Sequence, residues 1–319
     1  MKSVNLLSVR RSVLAIVLAG CGGSQSTGSA SLVPTTISGD LMNSASNDLA
    51  DESRLFVADN AASQIVIYAA DAQNPHPIGR ISSGVHSPYN LAVDQYGTLY
   101  VQNGNNTITE YNKGQKIVSK TLSEPGRYTA TALTVGNDGT VYAGSSGLGK
   151  VFEFAAGSTK PTETLDCCRS YFMSLALDSK NDLFVSWNDD LQCCDGVERF
   201  KPGRKVGKSI LGDVGAGAIA FDLHDNLLVG EGNNIAIYKP DGKTPFRKIH
   251  IGGWGDDGQL AFDSDETYLY LPSCRVPGCG RGEVNVYDYK TGKLAWTLWK
   301  GLRGGAYGNG VALWPAAPQ

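Results

Sequence analysis

The chain has 319 residues, 28 of them basic and 31 acidic, for a net charge of −3, and 18% of its residues are charged. That balance, with 41% hydrophobic residues and 39 glycines, excludes a polyelectrolyte and describes a turn-rich protein long enough to bury a large core. The sequence carries no basic patch, arginine-rich run or groove-reading helix, which argues against nucleic acid as a partner.

Lys2, Arg10 and Arg11 precede an apolar run from Val13 to Leu18 that ends in Leu18-Ala19-Gly20-Cys21. A basic start, a short apolar run and small residues before a cut define a secretory signal, too short to span a bilayer. The thiol directly after Leu-Ala-Gly makes residues 1–20 resemble a bacterial lipoprotein signal. That resemblance implies acylation of Cys21 and a membrane hold through buried methylenes rather than a spanning helix. Gly22, not an aspartate, follows Cys21, which in the Gram-negative pattern implies the outer membrane. Residues 21–50 are mostly Gly, Ser, Thr, Asn and Ala. Such a segment cannot bury enough apolar surface to offset the entropy of ordering and reads as a flexible tether. Cleavage would remove three cations and no anion, leaving 25 basic against 31 acidic residues.

Residues 51–319 form one repeat array. The first strand of each copy reads Leu91-Ala-Val-Asp94, Leu133-Thr-Val-Gly136, Leu175-Ala-Leu-Asp178, Ile219-Ala-Phe-Asp222 and Leu260-Ala-Phe-Asp263, with starts 42, 42, 44 and 41 residues apart. That period points to propeller blades of four antiparallel strands. A third-strand pair, a β-branched residue three before an aromatic, occurs six times: Ile65/Tyr68, Ile108/Tyr111, Val151/Phe154, Val197/Phe200, Ile235/Tyr238 and Val284/Tyr287. Six copies predict a six-bladed all-β propeller. The strands are apolar on both faces, as blades covered on both sides require. Fourth strands are expected over 116–122, 205–211, 246–251 and 294–299, more polar because they form the outer edge. The first copy lacks its first strand, and Val311-Ala-Leu-Trp314 is a first strand with nothing after it. The two ends therefore share one blade, which closes the ring and removes a free sheet edge.

The phrase Pro88-Tyr-Asn-Leu-Ala-Val-Asp-x-x-Gly-x-Leu-Tyr-Val, followed by Asn105-Asn106-Thr-Ile, resembles the NHL repeat. The wider group it is similar to is the gluconolactonase-like six-bladed propellers. The likeness covers about residues 53–314 and lies in structural positions, so it speaks for fold rather than activity.

The Asp-x-x-Gly and Asn-Asp-Gly turns, with Asp94 and Asn137 among them, fall on one face of the ring. Their acids read as turn formers that bond their own backbone. The opposite face holds the second-to-third loops and the blade connections around the channel mouth. All six cysteines beyond Cys21 fall there: Cys167, Cys168, Cys193, Cys194, Cys274 and Cys279. An even count in an exported chain reads as disulfides, Cys274 with Cys279 and three pairings open for the rest. Adjacent cysteines lack the spacing by which two thiolates reach one tetrahedral zinc. The mouth is also where a ligand is expected, at Asn90, Ser174, Gln259 and Asn309 just before the first strands, and at the aromatics Tyr89, Tyr128, Phe172, Trp254 and Tyr307. Neutral hydrogen-bonding groups rimmed by aromatics suit a carbohydrate or other small neutral ligand, or an envelope protein, better than a hard cation. Asp189, Asp190, Glu231, Asp256 and Asp257 are the acids topologically near it.

The gluconolactonase-like resemblance implies a divalent cation such as calcium, held by inward acids and amides at the strand starts. Here Asn90 and Asn309 offer amides, and no acid occupies a strand start. Of four histidines, His76 and His250 are expected on outer strands, His224 on a far-face turn, and only His86 near the mouth. Gly144-Ser-Ser-Gly147 is followed by Leu148 and fails the nucleophile-elbow pattern. Gly215-Ala-Gly217 enters a strand, not a phosphate-binding helix. The reading is a monomeric, non-catalytic binding or scaffolding propeller without a cofactor, anchored in the cell envelope. The alternative is a metal-dependent lactonase or related hydrolase.

Overall fold

The structure, a computed structural model, describes residues 53–70, 72–126, 130–167, 171–189, 194–252, 258–274, 282–303 and 310–315. Among them twenty-four strands form six four-stranded antiparallel sheets arranged as a six-bladed propeller. Blade one combines β1 (Arg54–Asp59), β2 (Gln64–Ala69) and β3 (Gly79–Ile81) with the last strand, β24 (Val311–Trp314). Blade two runs β4 (Pro88–Val93), β5 (Leu99–Asn103), β6 (Thr107–Tyr111), β7 (Lys120–Ser123) from channel to rim. Blade three is β8 (Ala130–Val135), β9 (Val141–Ser145), β10 (Lys150–Phe154) and β11 (Glu163–Asp166). Blade four is β12 (Tyr171–Leu177), β13 (Leu183–Asp189), β14 (Cys194–Phe200) and β15 (Lys208–Gly212). Blade five is β16 (Ala216–Phe221), β17 (Leu227–Glu231), β18 (Asn234–Tyr238) and β19 (Arg247–His250). Blade six is β20 (Ala261–Phe262), β21 (Tyr268–Cys274), β22 (Gly282–Asp288) and β23 (Lys293–Leu298).

The shared blade is as expected. β24 pairs antiparallel with β1, Val57 opposite Val311 and Leu55 opposite Leu313. The fourth strands are shorter than the sequence suggests, β7 and β15 beginning at Lys120 and Lys208 rather than near 116 and 205. His250 closes β19, but His76 lies in the turn ahead of β3 rather than on a strand.

The core divides into six apolar clusters, one at each blade-to-blade contact. The Leu-Ala-Val phrase explains them. Because side chains alternate along a strand, Leu91 and Val93 face blade one while Ala92 faces blade three. Leu175 and Leu177 face blade three, Ala176 blade five. Val311 and Leu313 face blade six, Ala312 blade two. Each inner strand thus sends bulky residues backward and a small one forward, because strands near the axis converge and only one face has depth. Tyrosine hydroxyls fasten further contacts: Tyr68 donates to the Lys300 carbonyl of blade six at 2.7 Å, and Tyr270 to the Ala70 carbonyl of blade one at 2.7 Å.

Leu313 is 3% exposed in the cluster joining blades six and one. Leu313→Ala should cost about 2–4 kcal/mol, read as a lower urea midpoint with an unchanged m-value. A loss below about 1 kcal/mol would mean that the ring does not depend on this closure.

Candidate functional site

The far-face turns are built as their residue types dictate. Asp94 Oδ1 accepts the backbone N–H of Tyr96 and Thr98 (2.9 and 2.8 Å), and Asp178 Oδ1 accepts those of Lys180 and Asp182, both at 2.9 Å. In blade three Gly136 holds the position of the strand-end acid, and Asp138 takes over its role: its Oδ1 accepts Thr140 N–H at 2.9 Å and lies 2.9 Å from where a Cβ of Gly136 would be. Asp222, His224 and Glu266 place their ligand-type atoms within 4.8 Å of one another on this face. Their bonds identify a turn clamp. Asp222 Oδ1 accepts the N–H of His224 and Asn226 at 2.9 Å, and Oδ2 accepts Asn226 Nδ2 and the Tyr289 hydroxyl at 2.8 Å. Glu266 is bonded to the Leu223 N–H, and burial pushes its carboxyl up to about 6.

Each inner strand has one edge paired within its blade and one edge on the channel. Asp94 N–H donates to the Thr98 carbonyl at 3.1 Å, so the backbone groups of Leu91 and Val93, odd steps away, point to the axis. The resulting channel, about 390 Å³, runs from Ser174 and Gln259 at the mouth end to Ser179, Leu223 and Asp225 at the far face. Gln259 is strung across its mouth end. From the start of blade six its Oε1 accepts Leu91 N–H at 3.0 Å, and its Nε2 donates to the carbonyls of Leu91 (2.7 Å) and Leu133 (3.2 Å). Gly310 permits this: a Cβ there would stand 2.8 Å from Gln259 Oε1 and 2.6 Å from the Tyr89 carbonyl oxygen.

Asn90 leads a second polar chain. Its Nδ2 donates to Gln102 Oε1 at 3.1 Å, and Gln102 Nε2 donates to Glu124 Oε1 at 2.8 Å. Asn90 and Gln102 are buried. Burial raises the Glu124 carboxyl to about 7, against a smaller lowering by the Gln102 bond. Glu124 was not singled out in the sequence. Its only signal is an acid in the connection between blades two and three, which becomes meaningful once Gln102 is seen to point at it.

The expected mouth residues divide accordingly. Ser174 and Gln259 line the channel end, whereas Asn90 is not part of its lining and its amide is engaged with Gln102 of the same blade. Ser174 is 2% exposed and lines the channel. The ring of Tyr89, half-buried, lies against its own blade's loop, where a Cβ on Gly104 would meet Tyr89 Cε2 at 3.2 Å. Phe172 is opposite Trp187 in blade four, at the level of backbone pairing alone. Asn103, ahead of the mouth loop, is wholly buried, accepting His86 N–H at 2.9 Å and donating to Thr109 Oγ1 at 3.1 Å. Glu231 is spent on Lys248 at 2.8 Å and on the Tyr238 hydroxyl. Tyr128, Trp254, Tyr307 and Asn309, the acids Asp190, Asp256 and Asp257, and Cys21, Cys168, Cys193 and Cys279 lie outside the described residues. Cys194 opens β14 and Cys274 ends β21, both bordering mouth loops. Cys167 is half-buried against the cluster between blades three and four. Among the described residues no disulfide is found.

No family model and no curated relative matches the chain. Among solved structures it is similar to a protein of unknown function from Bacteroides caccae, with a TM-score of 0.63 and 12% identity over 82% of this chain and 99% of that one. A likeness at that identity shows the six-bladed β-propeller fold alone.

Two outcomes follow from these bonds. Gln259→Met, similar in volume but without the amide, should destabilise the protein by about 1–3 kcal/mol, because Leu91 N–H loses its partner; chemical denaturation measures it. Glu124 has a folded pKa above its usual 4.5, so the folded state binds its proton more tightly. Its stabilising contribution is complete below about pH 4.5 and is lost as pH rises through about 7. Glu124→Gln should therefore match the parent near pH 4 and exceed it by about 1–2 kcal/mol at pH 8, read from denaturation curves at both values.

Proposed function

We propose that this protein is a non-catalytic binding or protein-interaction propeller of the NHL-like kind, exported and held at the cell envelope through acylated Cys21. A Gly/Ser/Thr-rich tether carries the ring away from the bilayer, and the mouth face does the recognising. One observation carries the reading. Two polar side chains at the inner strand starts are already engaged, Gln259 with backbone of blades two and three and Asn90 with Gln102 of its own blade, which makes a stiff floor beneath the mouth loops. Gln259 crosses the ring and Asn90 is tied through Gln102 to Glu124. Gln259 Oε1 already accepts Leu91 N–H and is poorly placed to ligate a hard cation, and the Asn90 amide is turned to Gln102 rather than offered to the channel, which favours this reading over the lactonase-type alternative. Recognition then belongs to the loops and aromatics above the floor, Tyr89, Trp254 and Tyr307 foremost, which suit a carbohydrate, another neutral ligand or an envelope protein.

Glycan arrays and crosslinking in intact envelopes test this reading. Tyr89→Ala, Trp254→Ala and Tyr307→Ala together should abolish whatever binding is found, and unchanged binding would move the site off the mouth. Stoichiometric calcium or zinc that survives dialysis of the purified protein, and is lost on Asn90→Ala or Asn309→Ala, would favour the hydrolase instead. If the six mouth-face cysteines pair, the intact mass should rise by about 6 Da on reduction, two hydrogens per bridge.

A further inference from the structure

Among the described residues, seven of the nine exposed large apolar side chains lie on the face opposite the mouth. Tyr96 and Leu223 stand on first-to-second turns. The other five occupy one place in the repeat, at or just before the outer strand: Ile78, Ile117, Val206, Phe246 and Leu294, in blades one, two, four, five and six. Val206 is 80% exposed and Phe246 51%. None of the five packs into the core clusters. Single exposed apolar side chains are ordinary on a surface. A set of them at one repeat position calls for a reason.

Three of these tips stand in one basic sector. Residues 201–208 hold four cations, 239–247 three and 289–294 two, against a single acid, Asp241. Asp241 is committed to Arg199 at 3.0 Å. On a chain of net charge −3, this stretch of rim is the reverse of the average surface. Lys201, Arg204, Lys208, Lys239, Lys290 and Lys293 make no ion pair among the described residues. Bonds between neighbouring blades tie the sector together: Arg199 reaches Asp241, Lys243 donates to the Ile210 carbonyl, and Arg247 to the Tyr289 carbonyl. Lys239 carries its ammonium to 5.7 Å from the Phe246 ring centroid, so charge and apolar surface lie side by side. Nearer the axis the face turns acidic, with Asp138 and Asp265 exposed, which confines the basic and apolar character to the rim of blades four to six.

We propose that this rim, through Val206, Phe246, Leu294 and the cations around them, rests on an anionic lipid surface. Apolar tips that reach the acyl boundary and cations that meet headgroup phosphates are the two halves of peripheral membrane binding. Long basic side chains extend to the headgroups while the tips between them go deeper. Lipid anchoring becomes stable when a second signal such as a basic patch is added to it. The inference rests on the envelope reading for the presence of a membrane, and not on acylation of Cys21. With this rim on the bilayer, the mouth faces away from it and stays open to its ligand.

The test is vesicle flotation of the full mature chain carrying Cys21→Ser, so that no acyl chain contributes. Vesicles of phosphatidylcholine with about 30% phosphatidylglycerol should bind it at least about tenfold more tightly than phosphatidylcholine alone, a preference lost in about 0.5 M salt. Val206→Ser with Phe246→Ser, both at exposed positions, should weaken binding about tenfold with Tm unchanged. Lys201→Gln, Arg204→Gln and Lys208→Gln together should remove the preference for phosphatidylglycerol. Tyr89→Ala, at the mouth, should bind vesicles as the parent does, which separates this surface from the mouth reading. No binding to phosphatidylglycerol vesicles, equal binding to neutral ones, or binding that survives the loss of both apolar tips would each overturn the proposal.

Discussion

The structure rests on how the innermost strands meet near the axis. Six β-edges converge there, and each strand has depth on only one of its faces. The bulky–small–bulky order, as in Leu91-Ala92-Val93, Leu175-Ala176-Leu177 and Val311-Ala312-Leu313, follows from that convergence. Two bulky side chains bury against the preceding blade, and the alanine lets the following blade approach. Because burial is the main favourable term in folding, these six contacts hold the ring. The blade shared by β1 and β24 is the point at which the chain ends become part of the core rather than a sheet edge.

The same convergence leaves a physical problem on the axis, because the inner edge of each first strand has backbone groups with no strand to pair with. At the mouth end this protein answers it with a side chain. The Gln259 amide offers a donor and an acceptor in the peptide's own geometry, and it caps both Leu91 backbone groups and one of Leu133. Gly310 is required by the same arrangement, since no side chain fits between blade two and that amide. Gln102 and Glu124 continue the pattern outward, and a carboxyl drawn into this network is pushed toward neutrality by burial.

The two faces therefore have different chemical characters. Toward the mouth, polar groups are consumed in building a stiff floor, and variation is left to the loops above it. On the far face most acids are committed to their own turns, as at Asp94, Asp178 and Asp222.

Fold was legible in the sequence because propeller blades are local. Each blade is a meander of neighbouring strands, so its period, its turn chemistry and its bulky–small–bulky phrase can all be read within about 40 residues. Even ring closure was legible, from a missing first strand at one end and an orphan at the other. The positions of Ser174 and Gln259 at the channel end were also set by the repeat register. What those side chains do was not. Gln259 meets Leu91 168 residues away in sequence, and no periodicity says that an amide at a strand start will turn inward to the backbone. The Glu124 contact was likewise invisible, because nothing in the repeat says that Gln102 turns its amide to the acid that follows the last strand of its own blade. The sequence by itself determined the blades and their order, since strand and turn preferences act between near neighbours. The tertiary structure alone decided which polar groups are spent, since that depends on contacts between strands that the sequence pattern does not specify, such as Gln259 with Leu91.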